Sequence, residues 1–302
     1  MQDQAERLRQ LVGRLNPEGI FEEPARRVNS CRVIAVTSGK GGVGKTNLSV
    51  NFALSMAARG KSVLLFDADM GLANVDVLLG LIPKYTLVNV LNGQKTLSEI
   101  ILQGPGGIGL VASGSGGVQE LADLSEAQRD KFLSALTELQ NKSDVILIDT
   151  GAGLHRNVLA FVLAADEVVI ITTPEPTALM DAYGMIKILA REKKRKPINV
   201  VVNMAGSQLE AEEAGKKLVV LAKRFLDLEV EYLGFVLRDS AMIKAVKEQK
   251  PIFISAPNSP VAISLDRLAD QLISGKTKLD EGNLINFFKR VTQLFAGKDG
   301  GG

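Results

Sequence analysis

The chain has 302 residues, which suits one large α/β domain or two smaller ones with ample length for a buried core. Its 36 basic and 34 acidic residues nearly cancel, so a surface devoted to nucleic acid is not expected. Cys31 is the single cysteine, which excludes a disulfide framework and any site that needs two cysteines per chain.

The N-terminal segment, residues 1–29, is polar and charged and is interrupted by Pro17 and Pro24. It lacks the apolar stretch of a signal peptide, and no run in the chain approaches the roughly 20 apolar residues of a membrane span. We therefore expect a cytoplasmic protein, either soluble or peripheral to a membrane. A short helix is predicted over Asp3–Leu15, because apolar residues recur there at steps of three and four.

The body of the chain, residues 30–274, alternates β-branched apolar runs with helical patterns. Most strand runs are nearly continuous apolar stretches, which is typical of strands buried on both faces of a parallel sheet. This alternation predicts a doubly wound α/β fold, a mostly parallel sheet flanked by helices. The predicted strands are Arg32–Thr37, Ser62–Asp67, Ile108–Ala112, Asp144–Asp149, Glu167–Thr172, Ile198–Asn203 and Glu231–Phe235. The predicted helices are Lys45–Arg59, Ser125–Lys142, Leu154–Ala164, Pro176–Glu192, Gln208–Leu226, Ser240–Glu248 and Pro260–Ile273.

A glycine-rich loop joins the first predicted strand to the first long helix and satisfies the pattern Gly-x4-Gly-Lys-Thr. Its glycines let the backbone wrap closely around phosphate, and its N–H groups and the following helix N-terminus supply positive potential. Lys45 is expected to reach the β- and γ-phosphates, and Thr46 to place its hydroxyl on Mg²⁺. The predicted nucleotide-binding residues here are Gly39, Gly41, Gly42, Val43, Gly44, Lys45, Thr46 and Asn47.

A second lysine, Lys40, lies at the start of this loop. On local grounds alone it is a solvated side chain. The run from Lys40 to Thr46, Lys-Gly-Gly-Val-Gly-Lys-Thr, resembles the deviant Walker A motif of the MinD/ParA family of ATPases. The resemblance implies ATP and Mg²⁺ as ligands and a homodimer that forms with ATP. It also implies that Lys40 reaches across to the phosphates of the partner's ATP.

Three carboxylates follow predicted strands. Asp67 and Asp69 lie at the C-terminal end of the second strand, where α/β sheets bind ligands, and adjacent anions are costly unless a cation or a reacting group uses them. The resemblance implies that Asp69 orients and helps to activate the attacking water, and that Asp67 either contacts Mg²⁺ through the ligands of the ion or has a structural role in the metal site. Asp149 ends an apolar strand and is predicted to hold Mg²⁺ through its waters. The implied catalytic residues are Lys40, Lys45 and Asp69.

Recognition of the base depends more heavily on the resemblance. Asn203 follows a buried strand and would on its own be a turn residue, whereas in the family an Asn at this place hydrogen-bonds adenine. Arg238 and Asp239 follow the last strand, where the family places the second wall of the base pocket.

The N-terminal helix carries a short element that matches Asp-Gln-Ala-x-x-Leu-Arg. This element resembles the one with which the FlhG family, also called YlxH or FleN, stimulates its partner GTPase FlhF. The resemblance implies control of flagellar number or placement, with flagellar switch-complex proteins as further partners. The alternative is a solvated helix that packs on its own domain. The implied partner-activating residues are Asp3, Gln4, Arg7, Leu8 and Arg9.

The tail, residues 275–302, contains a predicted amphipathic helix over 283–295 with two basic residues and no acidic ones. It resembles the membrane-targeting helix of MinD-type ATPases, which implies reversible attachment to an anionic membrane surface. The alternative is a C-terminal helix that packs on the core. The predicted membrane-binding residues are Leu284, Ile285, Phe287, Phe288, Lys289, Arg290, Val291, Leu294 and Phe295.

Two other functions remain open from the sequence. A MinD-type division-site regulator would share the tail but give the N-terminal element no role. A ParA-like DNA-segregation ATPase would need a basic stripe, for which the run from Lys193 to Lys196 is the candidate, although a charged helix end is usually only solvated. Nucleic acid is therefore not expected as a partner.

Overall fold

A computed structural model describes residues 31–69, 75–114, 116–192, 195–275 and 284–295. The predicted N-terminal helix and its partner-activating residues, Asp3 to Arg9, lie outside these ranges. Within the described part of the chain, no helix combines the length and the hydropathy needed to cross a bilayer.

A single sheet of eight strands forms the centre of the described structure, in the order β3-β4-β2-β5-β1-β6-β7-β8. All pairs are parallel except β3 with β4, and this confirms the predicted fold class. The sequence missed β3, which is two residues long and carries no periodic pattern. The strands are β1 Arg32–Ser38, β2 Val63–Ala68, β3 Leu102–Gln103, β4 Gly109–Ala112, β5 Val145–Ala152, β6 Glu167–Thr172, β7 Ile198–Ala205 and β8 Glu231–Leu237.

Helices cover both faces of the sheet. The predicted long helices are present with ends shifted by up to three residues, whereas helices of four to six residues were missed because one turn is too short for a periodicity. A 3₁₀ turn spans Pro105–Gly107. The helices in the described ranges are α1 Lys45–Ala58, α2 Val75–Leu79, α3 Leu87–Leu91, α4 Leu97–Ile100, α5 Gly117–Ala122, α6 Glu126–Lys142, α7 Arg156–Ala164, α8 Pro176–Leu189, α9 Gln208–Leu226, α10 Ser240–Lys247, α11 Ile252–Ser255, α12 Pro260–Ser274 and α13 Leu284–Phe295.

The two faces are set by the alternation of side chains along the strands. In β1, Ile34 and Val36 enter a core with α1 and α12, whereas Val33 and Ala35 enter a core with α6, α7 and α13. Each of these four residues is fully buried. The strands are nearly continuously apolar because a separate layer of helices buries each face of the sheet.

The tail helix α13 is part of the second core. Its apolar side chains, predicted for a membrane, lie in a groove against α6 and α7, with Phe287 2% and Phe288 1% exposed. The ring of Phe288 meets that of Phe132 at 5.2 Å and that of Phe66 at 5.6 Å between centroids. Aromatic pairs at these separations stabilise the contact beyond the area they bury.

The docking of α13 changes the interpretation of the predicted membrane face. Lys289 remains exposed and Arg290 is half-buried, while Ile285 and Leu294 pack at the edge of the groove. The described structure therefore has the core-packed arrangement, and the apolar face is not available to lipid in it. The remaining residues of that face are also buried: Leu284, Val291 and Phe295.

Candidate nucleotide-binding site

The C-terminal ends of three adjacent strands bring the predicted acidic residues and the glycine-rich loop together. In the parallel register of β2, β5 and β1, Asp67 lies opposite Asp149, and Asp149 lies opposite Val36. The loop leaves β1 after Ser38 and enters α1 at Lys45. The topology thus places the loop, a helix N-terminus and the carboxylates of Asp67 and Asp149, here called the switch-region carboxylates, at one edge of the sheet, as ligand sites of α/β sheets require.

The loop conformation depends on glycine at two positions. Gly44 has a φ of 86°, and a Cβ there would overlap the Asn203 amide. A Cβ at Gly39 would overlap the backbone of Asp181 in α8, so the loop is packed tightly against that helix. Gly44 is also the N-cap of α1 and provides no side-chain hydrogen bond, which leaves the first N–H groups of the helix for an anion.

Lys45 and Asp149 form a buried charged pair at the centre of the site. The Lys45 Nζ lies 3.5 Å from Asp149 Oδ1, and the two side chains are 7% and 0% exposed. Burial raises the pKa of Asp149, while the charge of Lys45 and the hydroxyls of Ser49 and Thr46 act in the opposite direction. Within the described residues, Asp149 Oδ2 is buried without a hydrogen-bond partner. A buried carboxylate oxygen beside the Thr46 position fits the water shell of Mg²⁺.

Ser49 is a residue of the site that sequence reasoning missed. Its hydroxyl donates to Asp149 Oδ1 at 2.8 Å and is completely buried. Ser49 follows Lys45 by one helical turn, on the same side of α1. The spacing in the helix could have identified it, because residues four apart share a face.

Asp67 and Asp69 have different positions. The Asp67 carboxylate accepts from the Asp69 N–H at 3.1 Å and from the Val75 N–H at 3.5 Å, so it bonds to the backbone at both positions. A Cβ built on Gly151 would lie 3.5 Å from Asp69 Oδ1, which places the Asp69 carboxylate beside the loop that follows Asp149. The role of Asp69 in orienting the attacking water stays a prediction.

The predicted adenine residues are divided by the structure. Asn203 is 5% exposed, and its Nδ2 donates to the Val43 carbonyl at 2.8 Å, so its amide clamps the phosphate loop. Arg238 lines a cleft beside the loop. Asp239 caps α10, accepting from the Ala241 N–H at 2.8 Å. The adenine contacts of Asn203, Arg238 and Asp239 stay predictions.

Lys40 faces the same cleft, whose volume is about 540 Å³. Its Nζ donates to Glu175 Oε2 at 2.8 Å and to Thr177 Oγ1 at 3.1 Å. Glu175 lies directly before α8, and Thr177 lies in the first turn of that helix. Sequence reasoning missed Glu175, because only the pairing of β6 with β1 brings this loop next to the glycine-rich loop.

The loop that follows Asp149 links the site to the tail helix. The Gly153 N–H, at a φ of 94°, donates to the Ser38 carbonyl at 2.9 Å. Three residues later Arg156 opens α7, and its Nη2 donates to the carbonyls of Leu294 at 3.0 Å and Phe295 at 2.6 Å. These are orphan carbonyls at the C-terminus of α13, where a cation is also favoured by the helix dipole.

A glycine-rich phosphate loop, a buried lysine–aspartate pair and a switch-region aspartate on a parallel sheet define a P-loop nucleoside triphosphatase. A protein-family model described as "AAA domain" matches residues 31–204. The antiactivator FleN of Pseudomonas aeruginosa is 41% identical over 263 residues, which cover 87% of this chain and 94% of that protein. The flagellum site-determining protein YlxH of Helicobacter pylori is 37% identical over 297 residues, covering 96% and 98%.

Solved structures agree with these relatives. The MinD cell division protein of Aquifex aeolicus superposes with a TM-score of 0.64 at 26% identity, covering 83% of this chain and all of that one. The chain belongs to the AAA-domain family of MinD-like P-loop ATPases that includes FleN and YlxH. This confirms the predicted resemblance, the fold class and the ATPase activity.

Proposed function

We propose that this ATPase is an ATP-dependent dimerising switch that regulates flagellar number or placement. The observation that carries the switch is the position of Lys40, which lies at the start of the phosphate loop, lines the cleft beside it and contacts Glu175 with a side chain that is 41% exposed. The flagellar role is inferred from the relatives named antiactivator FleN and flagellum site-determining protein YlxH.

The residues of the site fit Mg-ATP. Lys45, whose Nζ lies 3.5 Å from Asp149 Oδ1, would contact the β- and γ-phosphates, and the N–H groups of the loop would donate to the same phosphates. Thr46 and Asp149 would hold Mg²⁺, Asp149 through the water shell of the ion, and the ion would supply positive charge against the transferred phosphoryl group. Asp69, which lies beside Gly151, orients the attacking water. Catalysis in this arrangement comes from positioning and charge.

The partner across the cleft is a second copy of this chain. Large apolar side chains are exposed at the C-terminal ends of β7 and β8 and in the loops or helices that follow β5, β6, β7 and β8. Exposed apolar residues clustered at one edge mark an interaction surface, and a two-fold interface requires a patch that pairs with itself. These side chains are Leu154, Met180, Met204, Leu209, Leu237 and Ile243.

Membrane attachment follows from release of α13. Docked, the helix hides its apolar face, and Arg156 ties its end to the loop after Asp149. Rearrangement of that loop on ATP binding and dimerisation weakens this tie and frees the helix for an anionic membrane. One short helix with Lys289 and Arg290 binds marginally, but two helices in a dimer gain from effective concentration.

Stimulation of the GTPase FlhF is assigned to the N-terminal element, Asp3 to Arg9, on its sequence match and on the FleN and YlxH relatives. A short charged helix that folds on binding delivers Gln and Arg side chains to a second nucleotide site. Flagellar switch-complex proteins are proposed as further partners.

The test uses an Asp69→Ala protein that binds ATP without hydrolysing it. We expect it to retain purified FlhF with ATP and to raise the GTP turnover of FlhF. The same protein without residues 1–20 should lose the stimulation. The double substitution Gln4→Ala and Arg9→Ala should lose the stimulation as well, and it keeps the full length of the chain. Full stimulation by both altered proteins would refute the N-terminal assignment.

A DNA-segregation role is less well supported. Of the candidate basic run, Lys196 is half-buried and its Nζ donates to the carbonyls of Leu163 at 2.5 Å and Ala165 at 2.7 Å, so it caps α7. ATP-dependent DNA binding that falls steeply with salt would favour that function instead. A MinD-type division regulator shares this fold, and an inactive N-terminal element in the FlhF assay would favour it.

A further inference from the structure

The side chain of Lys40 is held by its own subunit. Its Nζ has two acceptors, Glu175 and Thr177, at 2.8 and 3.1 Å. We propose that Glu175 is a positioning residue that retains Lys40 within its own subunit and sets the threshold for ATP-dependent dimerisation. The proposal rests on the proposed dimer, in which each Lys40 must leave Glu175 to reach the partner's ATP.

The frame around this contact is rigid. Glu175 occupies the N-cap position of α8, immediately before Pro176, whose ring fixes the first turn. The same helix packs so closely on the phosphate loop that Gly39 has no room for a Cβ against Asp181. The Ser38 hydroxyl donates to the backbone carbonyl of Lys40 at 2.9 Å, which fixes the backbone from which the lysine side chain extends. Both ends of the Lys40–Glu175 contact therefore start from fixed backbone.

The carboxylate also has a second cation within range. The hydrogen bond and charge of Lys40, together with the charge of Arg238, lower the pKa of Glu175 below its ordinary value. Arg238 lines the same cleft. When Lys40 leaves, the Glu175 carboxylate thus still has the charge of Arg238 nearby, which makes the exchange of partners reversible.

The size of the effect follows from exposure. The Lys40 and Glu175 side chains are 41% and 62% exposed, and a pair of this kind shifts an equilibrium by about two- to fivefold. Two lysines exchange in each dimer. Removing the Glu175 charge should therefore tighten the ATP-bound dimer by about 4- to 25-fold.

The experiment measures the monomer–dimer dissociation constant by sedimentation at saturating ATP, with Asp69→Ala in every protein to prevent hydrolysis. Glu175→Gln should tighten the dimer by the stated factor, and Glu175→Asp should lie between it and the parent. Glu229→Gln is the matched control, since Glu229 is 90% exposed, pairs with Lys223 at 3.4 Å and lies beyond the far end of α9. It makes the same change in net charge and should leave the dimer constant unaltered.

Each outcome decides the inference. A weaker dimer with Glu175→Gln would mean that the carboxylate contacts the partner subunit, and an unchanged dimer would mean that it does not retain Lys40. Either result overturns the proposal while leaving the dimer itself intact. A parent protein that forms no dimer with ATP refutes the proposed dimer and this inference with it. A Lys40→Ala protein that dimerises as well as the parent refutes the role of Lys40 in the dimer and, with it, this inference. Binding of fluorescent ATP below the dimerisation concentration separates effects on the nucleotide from effects on assembly.

Discussion

The nucleotide edge and the tail groove stabilise the molecule in opposite ways. At the nucleotide edge, Lys45 and Asp149 form a buried charged pair, and one carboxylate oxygen has no hydrogen-bond partner among the described residues. In the tail groove, the rings of Phe288 and Phe132 meet edge to face in an apolar core. The first region depends on charge and hydrogen bonds, and the second on apolar packing. Arg156 lies between them, on the helix that follows the loop after Asp149.

The difference teaches where a ligand can act. A site of buried charges changes its interactions strongly when a charged ligand binds. A packed apolar core changes only when a segment at its boundary moves. The loop from Asp149 to Arg156 is that boundary. Four substitutions test the comparison, in order of expected effect.

Phe288→Ala should lower the free energy of unfolding by about 3–5 kcal/mol, because it opens a cavity under a side chain that is 1% exposed. Denaturant unfolding without nucleotide measures this. Lys289→Ala, on the exposed side of the same helix, should change it by less than about 0.5 kcal/mol. Equal, small effects of both would show that the helix spends little time in the groove.

Lys45→Met should reduce kcat for ATP hydrolysis by about 100- to 1000-fold, because it removes a cation from the developing charge. It should also lower the free energy of unfolding by about 3 kcal/mol, since Asp149 is left buried beside no cation. Adding Asp149→Asn should restore most of the stability but none of the activity. A double variant no more stable than the single one would contradict the pairing.

Arg156→Ala should weaken the docking of α13 by about 1 kcal/mol, the usual contribution of a cation that bonds the last carbonyls of a helix. We expect faster hydrogen exchange in α13 and about fivefold more binding to anionic vesicles without ATP. Arg156→Lys retains the charge and should lie closer to the unaltered protein. Exchange that is unaffected in α13 would remove Arg156 from the link between the two regions.

The smallest effect concerns Glu99, an exposed carboxylate that contrasts with buried Asp149. Hydrogen bonds from Thr96 and Lys95 lower the pKa of Glu99 from 4.5 to about 2. A lowered carboxylate pKa gives stability that is present above pH 4.5 and is lost as the pH falls toward about 2. Glu99→Gln should therefore make Tm fall less steeply with decreasing pH across that interval. The slope of Tm against pH near pH 7 should change less. An unchanged acid limb would contradict the assignment.

The position of the nucleotide edge could be predicted from the sequence because phosphate-binding chemistry prescribes residue types at fixed spacing. Lys45, Thr46 and Asp149 could be placed from local pattern, and the structure brings them together. Glu175 could not, because its nearness to Lys40 arises from the pairing of strands that are far apart in the chain. The contact between Arg156 and the tail is non-local in the same way.

The tail shows the other limit. An amphipathic pattern specifies that one face leaves water, but not whether protein or lipid covers it. The three phenylalanines of α13 fit either environment by composition, and only the groove formed with Phe66, Phe132 and Phe161 decides between them. That groove is assembled from separate elements that no local pattern links to the tail.

Under the proposed membrane role, the docked helix also constrains how this protein can change over generations. Phe287 and Phe288 would serve the groove and the lipid with the same atoms, so a substitution there alters both affinities together. Adjustment of the balance between bound and free forms has to come from the groove side, at Phe132 or Phe161, where only one of the two affinities is touched. Variation among descendants should therefore concentrate in the groove and spare the helix.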